Sequence, residues 1–396
     1  MKLAVLKERR QGEARVAASP ETVKKYKGLG IDVVVEAGAG VEAAVTDAAF
    51  KEAGAEIADD VKKALDGADV VLKVQRPFLK GESKAEGLED GELGLMKKGA
   101  VLVGTLNPHD HKDSLKAYAD AGVVAFAMEL MPRITRAQSM DVLSSQSNLA
   151  GYRAVIDAAA EFRRALPMMM TAAGTVPPAR ALVMGAGVAG LQAIATARRM
   201  GAVVSATDVR PATKEQVESL GAEFVAVEDD EFKEAESAGG YAKEMSDAYK
   251  KKQAELIAET IKKQDIVITT ALIPGRPAPT LVTEEMVKSM KPGSIIVDLA
   301  VERGGNCPLS KPGKVVEKNG VKIVGFTNVP SRVAVDASLL YSKNLLNFLT
   351  PLIDKDSGAL KIDWDDEIVK GTALTRDGRI VHPAFGGAEA EAAADA

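Results

Sequence analysis

The chain has 396 residues, of which 27% are charged and 46% hydrophobic, and its formal net charge is −5 at pH 7. This length predicts two domains, and this composition is typical of a soluble globular protein. A negative net charge without Lys/Arg clusters argues against nucleic acid as a partner. The one cysteine, Cys307, excludes a disulfide framework, and the three histidines lack metal-ligand spacing, so we expect no metal. Neither a signal peptide nor a membrane span is indicated, and no direct membrane insertion is expected.

Short apolar, β-branched runs alternate with helical or loop-length segments in both halves of the chain. The predicted strands are 2–6, 31–36, 69–74, 100–106 and 122–128, then 180–185, 203–208, 222–227, 265–271, 294–300 and 321–326. This alternation predicts an α/β protein with two doubly wound, Rossmann-like parallel sheets. Long helices over 142–166 and 333–352 are expected to join the domains. We therefore predict a first domain of 1–135 plus 334–396, a second of 136–333, a ligand cleft between them and a disordered tail after 386.

A glycine turn and a terminal acidic residue mark the start of the second domain. The predicted roles are a tight turn at Gly185, close approach of the backbone to a pyrophosphate at Gly187 and close helix packing at Gly190. Asp208 ends the next predicted strand and would accept hydrogen bonds from an adenosine ribose, which favours NAD(H) over NADP(H). Arg210 complicates this choice because an arginine there can accept a 2′-phosphate. The alternative is a glycine turn that serves packing alone.

A polar loop follows the last predicted strand of the first domain, within residues 129–148. Its side chains Arg133, Gln138, Asp141 and Ser144 could form a polar wall, in which Gln138 holds a carboxamide or ribose hydroxyl and Arg133 pairs with Asp141. The alternative is a capped helix start, since Asp and Ser favour such positions.

Two further segments have the pattern of mobile or protruding structure. Gly239, Gly240 and Tyr241 interrupt a charged region and would suit a hinged lid, although an ordinary surface loop is the alternative. The apolar segment 167–178 contains three adjacent methionines and a turn-capable centre. It is interpreted as a hairpin arm that packs on a second copy, with a linker buried in its own subunit as the alternative.

Several of these runs resemble the NAD(H)-binding component of proton-translocating nicotinamide nucleotide transhydrogenase over essentially the whole chain. The matching runs are 7–10, 15–17, 129–141, 239–245, 274–275 and 304–308. The resemblance implies a homodimer that binds NAD(H) and passes hydride from NADH to NADP⁺, with NADP(H) held on a partner subunit. It also implies coupling to proton movement through membrane-spanning subunits, and a cytoplasmic location peripheral to the inner membrane.

The resemblance also implies which residues form the site. Its polar loop corresponds to Arg133, Gln138, Asp141 and Ser144, and its mobile lid to Tyr241 and its neighbours. Its NAD contacts correspond to Val188, Ala189, Gly190, Asp208, Val209, Arg210, Gly240, Gln253 and Leu272, in addition to Gly185 and Gly187 of the glycine turn.

Alanine dehydrogenase, a relative with the same two-domain plan, is the nearest alternative. Arg15 and Lys73 match that relative's substrate-binding Arg and Lys and therefore do not discriminate. Asn107 stands where it has a catalytic His, and Glu302 where it has Asp. Direct hydride transfer between nicotinamides needs positioning more than acid–base groups, which favours the transhydrogenase interpretation. His109 is a conceivable displaced base, and a non-catalytic NAD-sensing module is a third possibility.

Overall fold

The computed structural model of the chain describes residues 1–83, 88–233, 246–273, 275–354 and 357–387. Two compact units are present, the first made of Met1–Gln146 and Val333–Ala396 and the second of Ser147–Arg332. This moves the first boundary from the predicted 135/136 to 146/147. The reason lies in Gln146, whose side chain bonds Arg15 and the carbonyl of Ala337, both in the first unit.

The first segment of unit 1 alternates strands and helices. In chain order these are β1 (Lys2–Val5), α1 (Pro20–Gly28), β2 (Asp32–Glu36), α2 (Asp47–Glu52), β3 (Glu56–Ala58), α3 (Val61–Leu65), β4 (Val70–Gln75), β5 (Val101–Thr105), α4 (Lys112–Asp120) and β6 (Val124–Ala127). Short 3₁₀ turns follow at Met128–Leu130 and Thr135–Met140. Helix α1 shows why such elements begin where they do, since Ser19 caps it in a reciprocal box with Thr22 and Pro20 occupies its first turn.

Helix α5 (Val142–Glu161) contains the boundary between the units and ends earlier than the predicted residue 166. Unit 2 then contains β7 (Met169–Thr171), β8 (Gly174–Val176), β9 (Arg180–Met184), α6 (Val188–Arg199), β10 (Val203–Thr207), α7 (Thr213–Ser219), β11 (Glu223–Phe224), α8 (Asp230–Lys233), α9 (Asp247–Ile261), β12 (Ile266–Thr269), α10 (Glu284–Ser289), β13 (Ile295–Asp298), β14 (Lys314–Lys318) and β15 (Val321–Gly325). The chain returns to unit 1 through α11 (Ala334–Leu349), α12 (Glu367–Thr372), β16 (Ala373–Arg376) and β17 (Arg379–Ile380).

Both main sheets have the same doubly wound order. In unit 1 the order is β17-β16-β6-β5-β4-β1-β2-β3, with β1 to β6 parallel and β16 and β17 added antiparallel at one edge. In unit 2 the order is β11-β10-β9-β12-β13-β15-β14, parallel except for β14. The predicted fold class, α/β with two Rossmann-like parallel sheets, is confirmed.

Each unit has its own hydrophobic clusters on the two faces of its sheet. Central strands such as β9 and β12 are buried along nearly their full length, as expected for parallel strands covered on both faces. Among the described residues, no helix is long and apolar enough to cross a membrane. Within the same ranges there is no group of three or more His, Cys, Asp or Glu side chains that could hold a metal ion.

Candidate functional site

The strand order of the unit 2 sheet reverses between β9 and β12, and this place is the topological switch point of the sheet. Counted from β9 as the first strand, its parallel strands follow the order 3-2-1-4-5-6, and the second and fourth lie on opposite sides of the first. Loops from the carboxyl ends of these strands therefore leave the sheet in opposite directions, which opens a crevice at that edge. The glycine turn follows β9, Asp208 follows β10, and Leu272 comes shortly after β12. These predicted site residues lie together at the carboxyl edge of one sheet.

The three glycines of the turn and of the start of α6 have different surroundings. Gly185 has φ +105°, and a Cβ there would lie 2.5 Å from Thr270 Oγ1. A Cβ on Gly190 would lie 1.8 Å from the carbonyl oxygen of Gly185, so helix α6 could not pack as it does with any other residue. By contrast, a Cβ on Gly187 would meet nothing within 4 Å, and that open space begins where α6 starts. Gly185 and Gly190 are thus required by the turn and by the packing of α6, and Gly187 leaves open space beside the helix start.

The start of α6 has hydrogen-bonding capacity to offer an anion. Gly187 is its N-cap and has no side-chain capping bond, and Val188 and Ala189 form its first turn. Backbone N–H groups at a helix start, together with the helix dipole, bind phosphate groups. Val188 is 41% exposed beside them. The residues present thus fit the diphosphate of a dinucleotide.

The Asp208 carboxylate accepts hydrogen bonds from two neighbouring residues, Ala186 and Arg210. The backbone donors are Ala186 N at 2.7 Å and Arg210 N at 2.9 Å. The guanidinium of Arg210 adds two more, from Nε at 2.9 Å and Nη2 at 3.0 Å. Asp208 therefore fixes the glycine turn through Ala186. Arg210 forms an ion pair with Asp208 in this structure, which the sequence did not predict.

Apolar and amide side chains complete this edge of unit 2. Val209 is 59% exposed and Leu272 53% exposed. Both would suit the flat faces of the adenine and nicotinamide rings. Gln253 on α9 accepts from Val227 N and donates to Thr207 Oγ1, so its amide braces the end of β10.

Two supporting residues of this edge were missed by sequence reasoning. Thr270 donates its hydroxyl to the Gly185 carbonyl at 3.1 Å and so ties the end of β12 to the glycine turn. Gly151 in α5 lies against α6, where a Cβ would come within 2.0 Å of the carbonyl oxygen of Ala189. A glycine within a helical pattern is a signal for such close packing, and it was available in the sequence.

In unit 1, the polar loop is pinned at several points and exposes two of its predicted site residues. The carbonyl of Ser139 accepts hydrogen bonds from the amides of Asn344 and Asn347 on α11, at 2.9 and 3.1 Å. Arg136 makes a bidentate ion pair with Asp366. Arg133 and Gln138 are exposed. The loop therefore presents these two side chains outward from a fixed backbone.

Asp141 and Ser144 have the helix-capping geometry that was the alternative interpretation. Asp141 immediately precedes α5, and its carboxylate accepts from the backbone N–H of Ser144 at 3.0 Å and from the Ser144 hydroxyl. This satisfies a backbone donor at the helix start. Both side chains are half-buried, so capping still leaves part of each accessible.

The cations that match alanine dehydrogenase are compensated by carboxylates of this chain. Arg15 is paired with Glu13 through Nε at 2.8 Å and Nη2 at 2.6 Å. Lys73, 1% exposed, lies 3.2 Å from Glu8 and 3.1 Å from Glu92. Burial and the neighbouring carboxylates raise the pKa of Glu8 to about 7, against the influence of Lys73.

Asn107 has a structural role in unit 1. Its φ of +50° lies in the left-handed region, which Asn tolerates better than most residues. Its backbone N–H, like that of Leu106, donates to the carboxylate of Glu129. His109 packs its ring edge-on against Phe385, with centroids 4.9 Å apart. In unit 2, Glu302 accepts from the backbone N–H of Asn328.

Of the two predicted mobile or protruding segments, the structure describes the arm and not the lid. The lid, including Gly240 and Tyr241, lies outside the described residues, as does the tail after 387. The arm is a hairpin in which β7 and β8 pair antiparallel. All six residues of its strands are exposed, so it is not a linker buried in its own subunit.

Comparison with known proteins places these features in a family. The family model for the alanine dehydrogenase/PNT N-terminal domain matches residues 4–150, and that for the C-terminal domain matches residues 154–383. The chain is 65% identical over 387 residues to an NAD(P) transhydrogenase subunit alpha of Rhodospirillum rubrum, covering 98% of this chain and 99% of that protein.

Other relatives span both named activities. The crystal structure of transhydrogenase from Sinorhizobium meliloti matches with a TM-score of 0.85 and 57% identity, over 96% of this chain and 100% of that one. Alanine dehydrogenase of Halomonas elongata is 31% identical, over 97% of this chain and 95% of that protein. Identity is thus about twice as high to the transhydrogenase subunit as to the dehydrogenase. The chain therefore belongs to the alanine dehydrogenase/PNT family, in which it is most similar to the alpha subunits of NAD(P) transhydrogenase among these relatives.

Proposed function

We propose that this chain binds NADH and transfers its hydride directly to NADP⁺ held on a partner subunit of a transhydrogenase complex. In this proposal the transfer is coupled to proton movement through membrane-spanning subunits, and the chain is a homodimer on the cytoplasmic side of the inner membrane. The C4–H bond of NADH breaks with both of its electrons, and a C4–H bond forms on the NADP⁺ nicotinamide. No proton is exchanged with a side chain or with solvent.

The observation that carries the proposal is the position of the glycine turn and Asp208 at the carboxyl ends of two neighbouring strands of unit 2. Gly187 leaves open space at the start of α6, and Asp208 follows the adjacent strand. We propose that the α6 start holds the pyrophosphate, that Asp208 binds the adenosine ribose, and that Leu272 contacts the nicotinamide. The high identity to transhydrogenase alpha subunits supports the choice of reaction.

The remaining predicted residues receive positioning roles. Arg133 and Gln138 are exposed on a pinned loop, and we propose that Gln138 holds the nicotinamide or its ribose. Asp141 and Ser144 would act both as the cap of α5 and as polar contacts of the bound nucleotide. For Tyr241 and Gly240 the proposal is a lid that shields NADH from water, supported by the Gly-Gly-Tyr pattern and by the resemblance.

Amino-acid oxidation is less well supported than hydride transfer between nucleotides. It would require a proton acceptor, and Asn107 cannot fill that role. It would also require cations for the substrate carboxylate, whereas Arg15 and Lys73 already pair with Glu13, Glu8 and Glu92. A purely NAD-sensing module would need affinity for NADH but no arrangement for hydride exchange.

The test is single-turnover hydride transfer from NADH to NADP⁺ after the chain is mixed with an NADP-binding partner subunit. Gln138→Asn shortens the side chain by one methylene, and a displacement of about 1 Å can cost on the order of 10²-fold in rate. NADH affinity, measured in parallel, should change much less. Thr135→Ser is the matched control, because Thr135 is an exposed residue of the same loop and its change should leave the rate unaltered. If the unmodified chain gives no hydride transfer but does oxidise L-alanine, the dehydrogenase interpretation replaces this one.

A further inference from the structure

We infer that Asn306 is a positioning residue for the nicotinamide end of the site, although it lies outside the predicted set of nucleotide contacts. Asn306 is 0% exposed, in the loop that follows β13. Its side chain makes three hydrogen bonds to backbone groups. Oδ1 accepts from Ala271 N at 3.1 Å, while Nδ2 donates to the carbonyls of Ala271 at 2.9 Å and Pro279 at 2.8 Å.

The two-point bond to Ala271 extends the support of β12 beyond the end of the sheet. Pairing of β12 with β13 ends at Thr269 and Asp298. Two residues later, the carboxamide of Asn306 binds both the N–H and the C=O of Ala271, as a neighbouring strand would. The next residue is Leu272, half-exposed at the switch point. Asn306 therefore fixes the backbone position from which Leu272 projects.

Asn306 also holds the far end of the same segment. Its own carbonyl accepts hydrogen bonds from Leu281 N at 2.8 Å and Val282 N at 3.0 Å, beside the bond from its amide to Pro279. Both ends of the segment 271–282 are thus attached to one residue. The segment also contains Ile273, which follows Leu272 and is 45% exposed. A displacement of Asn306 would move both ends of this segment together.

Asp298 fixes Asn306 in turn. This carboxylate, 0% exposed at the end of β13, accepts from Asn306 N and Cys307 N, each at 3.1 Å, and from the Ser310 hydroxyl at 2.6 Å. Gly305 makes this possible, since its φ is +83° and a Cβ would lie 2.7 Å from Asp298 Oδ2. Such a fully bonded buried network has a single arrangement, which suits a support for precise positioning.

The inference rests on the proposed function, and its test separates the two halves of the nucleotide. ADP-ribose carries the adenosine, pyrophosphate and second ribose of NADH but no nicotinamide. In Asn306→Ala we expect the Kd of ADP-ribose to change less than about twofold, because the glycine turn and Asp208 are untouched. Single-turnover hydride transfer should fall by on the order of 10²-fold, the cost of a misplacement of about 1 Å.

Two further variants keep the test decisive. Asn306→Ser, which retains a small polar group, replaces Asn306→Ala if the latter does not fold. Ser294→Ala removes a buried hydrogen bond to Gln264 at the opposite end of β13, so it should leave hydride transfer unchanged. The inference would be overturned if the Asn306 variant lost ADP-ribose affinity in proportion to its rate of hydride transfer, or if that rate did not fall. Absence of hydride transfer in the unmodified chain would instead refute the proposed function.

Discussion

Asp208→Asn is the substitution that best tests how the chain distinguishes NADH from NADPH. Asparagine keeps an oxygen that can accept from Ala186 N, which otherwise would be left as a buried, unsatisfied donor at a cost of about 1–3 kcal/mol. Alanine would incur that cost and disturb the glycine turn. The amide therefore removes the charge and keeps the hydrogen bond from Ala186 N, while the bond from Arg210 N to the other oxygen is lost.

The expected magnitude follows from the lost carboxylate. A hydrogen bond from a ribose hydroxyl to a charged acceptor contributes roughly 1.5–3 kcal/mol, so NADH affinity should fall about 10- to 10²-fold. A 2′-phosphate about 4 Å from a carboxylate is repelled by roughly 4 kcal/mol at an effective dielectric constant near 20, before any compensation. Arg210, already paired with Asp208, would become available to that phosphate. The ratio of the NADPH Kd to the NADH Kd should therefore fall by at least about 10²-fold.

Equilibrium titration with each nucleotide measures this ratio. Glu223→Gln is the control, since it removes one negative charge from an exposed position on the adjacent strand β11 and should leave the ratio unchanged. An unmodified chain that binds both nucleotides equally, or a ratio that Asp208→Asn does not change, would refute the assignment of Asp208 to the adenosine ribose.

Three further outcomes are expected. Gly151→Ala should weaken NADH binding and lower thermal stability, because its Cβ would overlap the backbone of α6. Gly28→Ala, with open space around its Cβ, should do neither. Equal effects of the two substitutions in calorimetry and in NADH titration would contradict this prediction. Met169→Asp on the exposed arm should shift a dimer toward monomer in sedimentation, because the arm is expected to pack on a second copy. Val41→Asp, at another exposed apolar position, should leave the dimer unchanged. A dimer that Met169→Asp does not change would refute the role of the arm in dimerisation. The pKa of Glu8 is higher in the folded than in the unfolded chain, so its contribution to stability is present below pH 4.5 and is lost as the pH rises to about 7. Glu8→Gln should therefore flatten the decline of the melting temperature between these two pH values. An unaltered slope would contradict the raised pKa of Glu8.

The fold could be predicted largely because parallel, doubly covered strands produce continuous apolar runs. The elements that sequence reasoning missed lack this signal. Strand β3 has three residues, β14 is mostly exposed, and β16 and β17 form an antiparallel addition that depends on pairing with β6. Such short or edge strands acquire their structure from a partner that is distant in sequence, which local patterns do not reveal.

The candidate site divides in a similar way. The glycine turn and Asp208 are identifiable because each residue type is required by its own backbone geometry or ligand chemistry. Asn306 and Thr270 act through contacts with segments far away in the chain, Asn306 with Ala271 and Thr270 with Gly185. Their side chains are ordinary in composition, so only the folded structure indicates their role.

The measurement that tests the central claim most directly is the fate of the transferred hydrogen. NADH carrying deuterium at both C4 positions is mixed with the chain, its NADP-binding partner subunit and NADP⁺ in ordinary water, and the NADPH formed is analysed by mass spectrometry. Direct hydride transfer predicts one deuterium in every NADPH molecule formed and none released to water. NADPH without deuterium, or label recovered in water, would show that the hydrogen passes through an exchangeable group and would contradict the account.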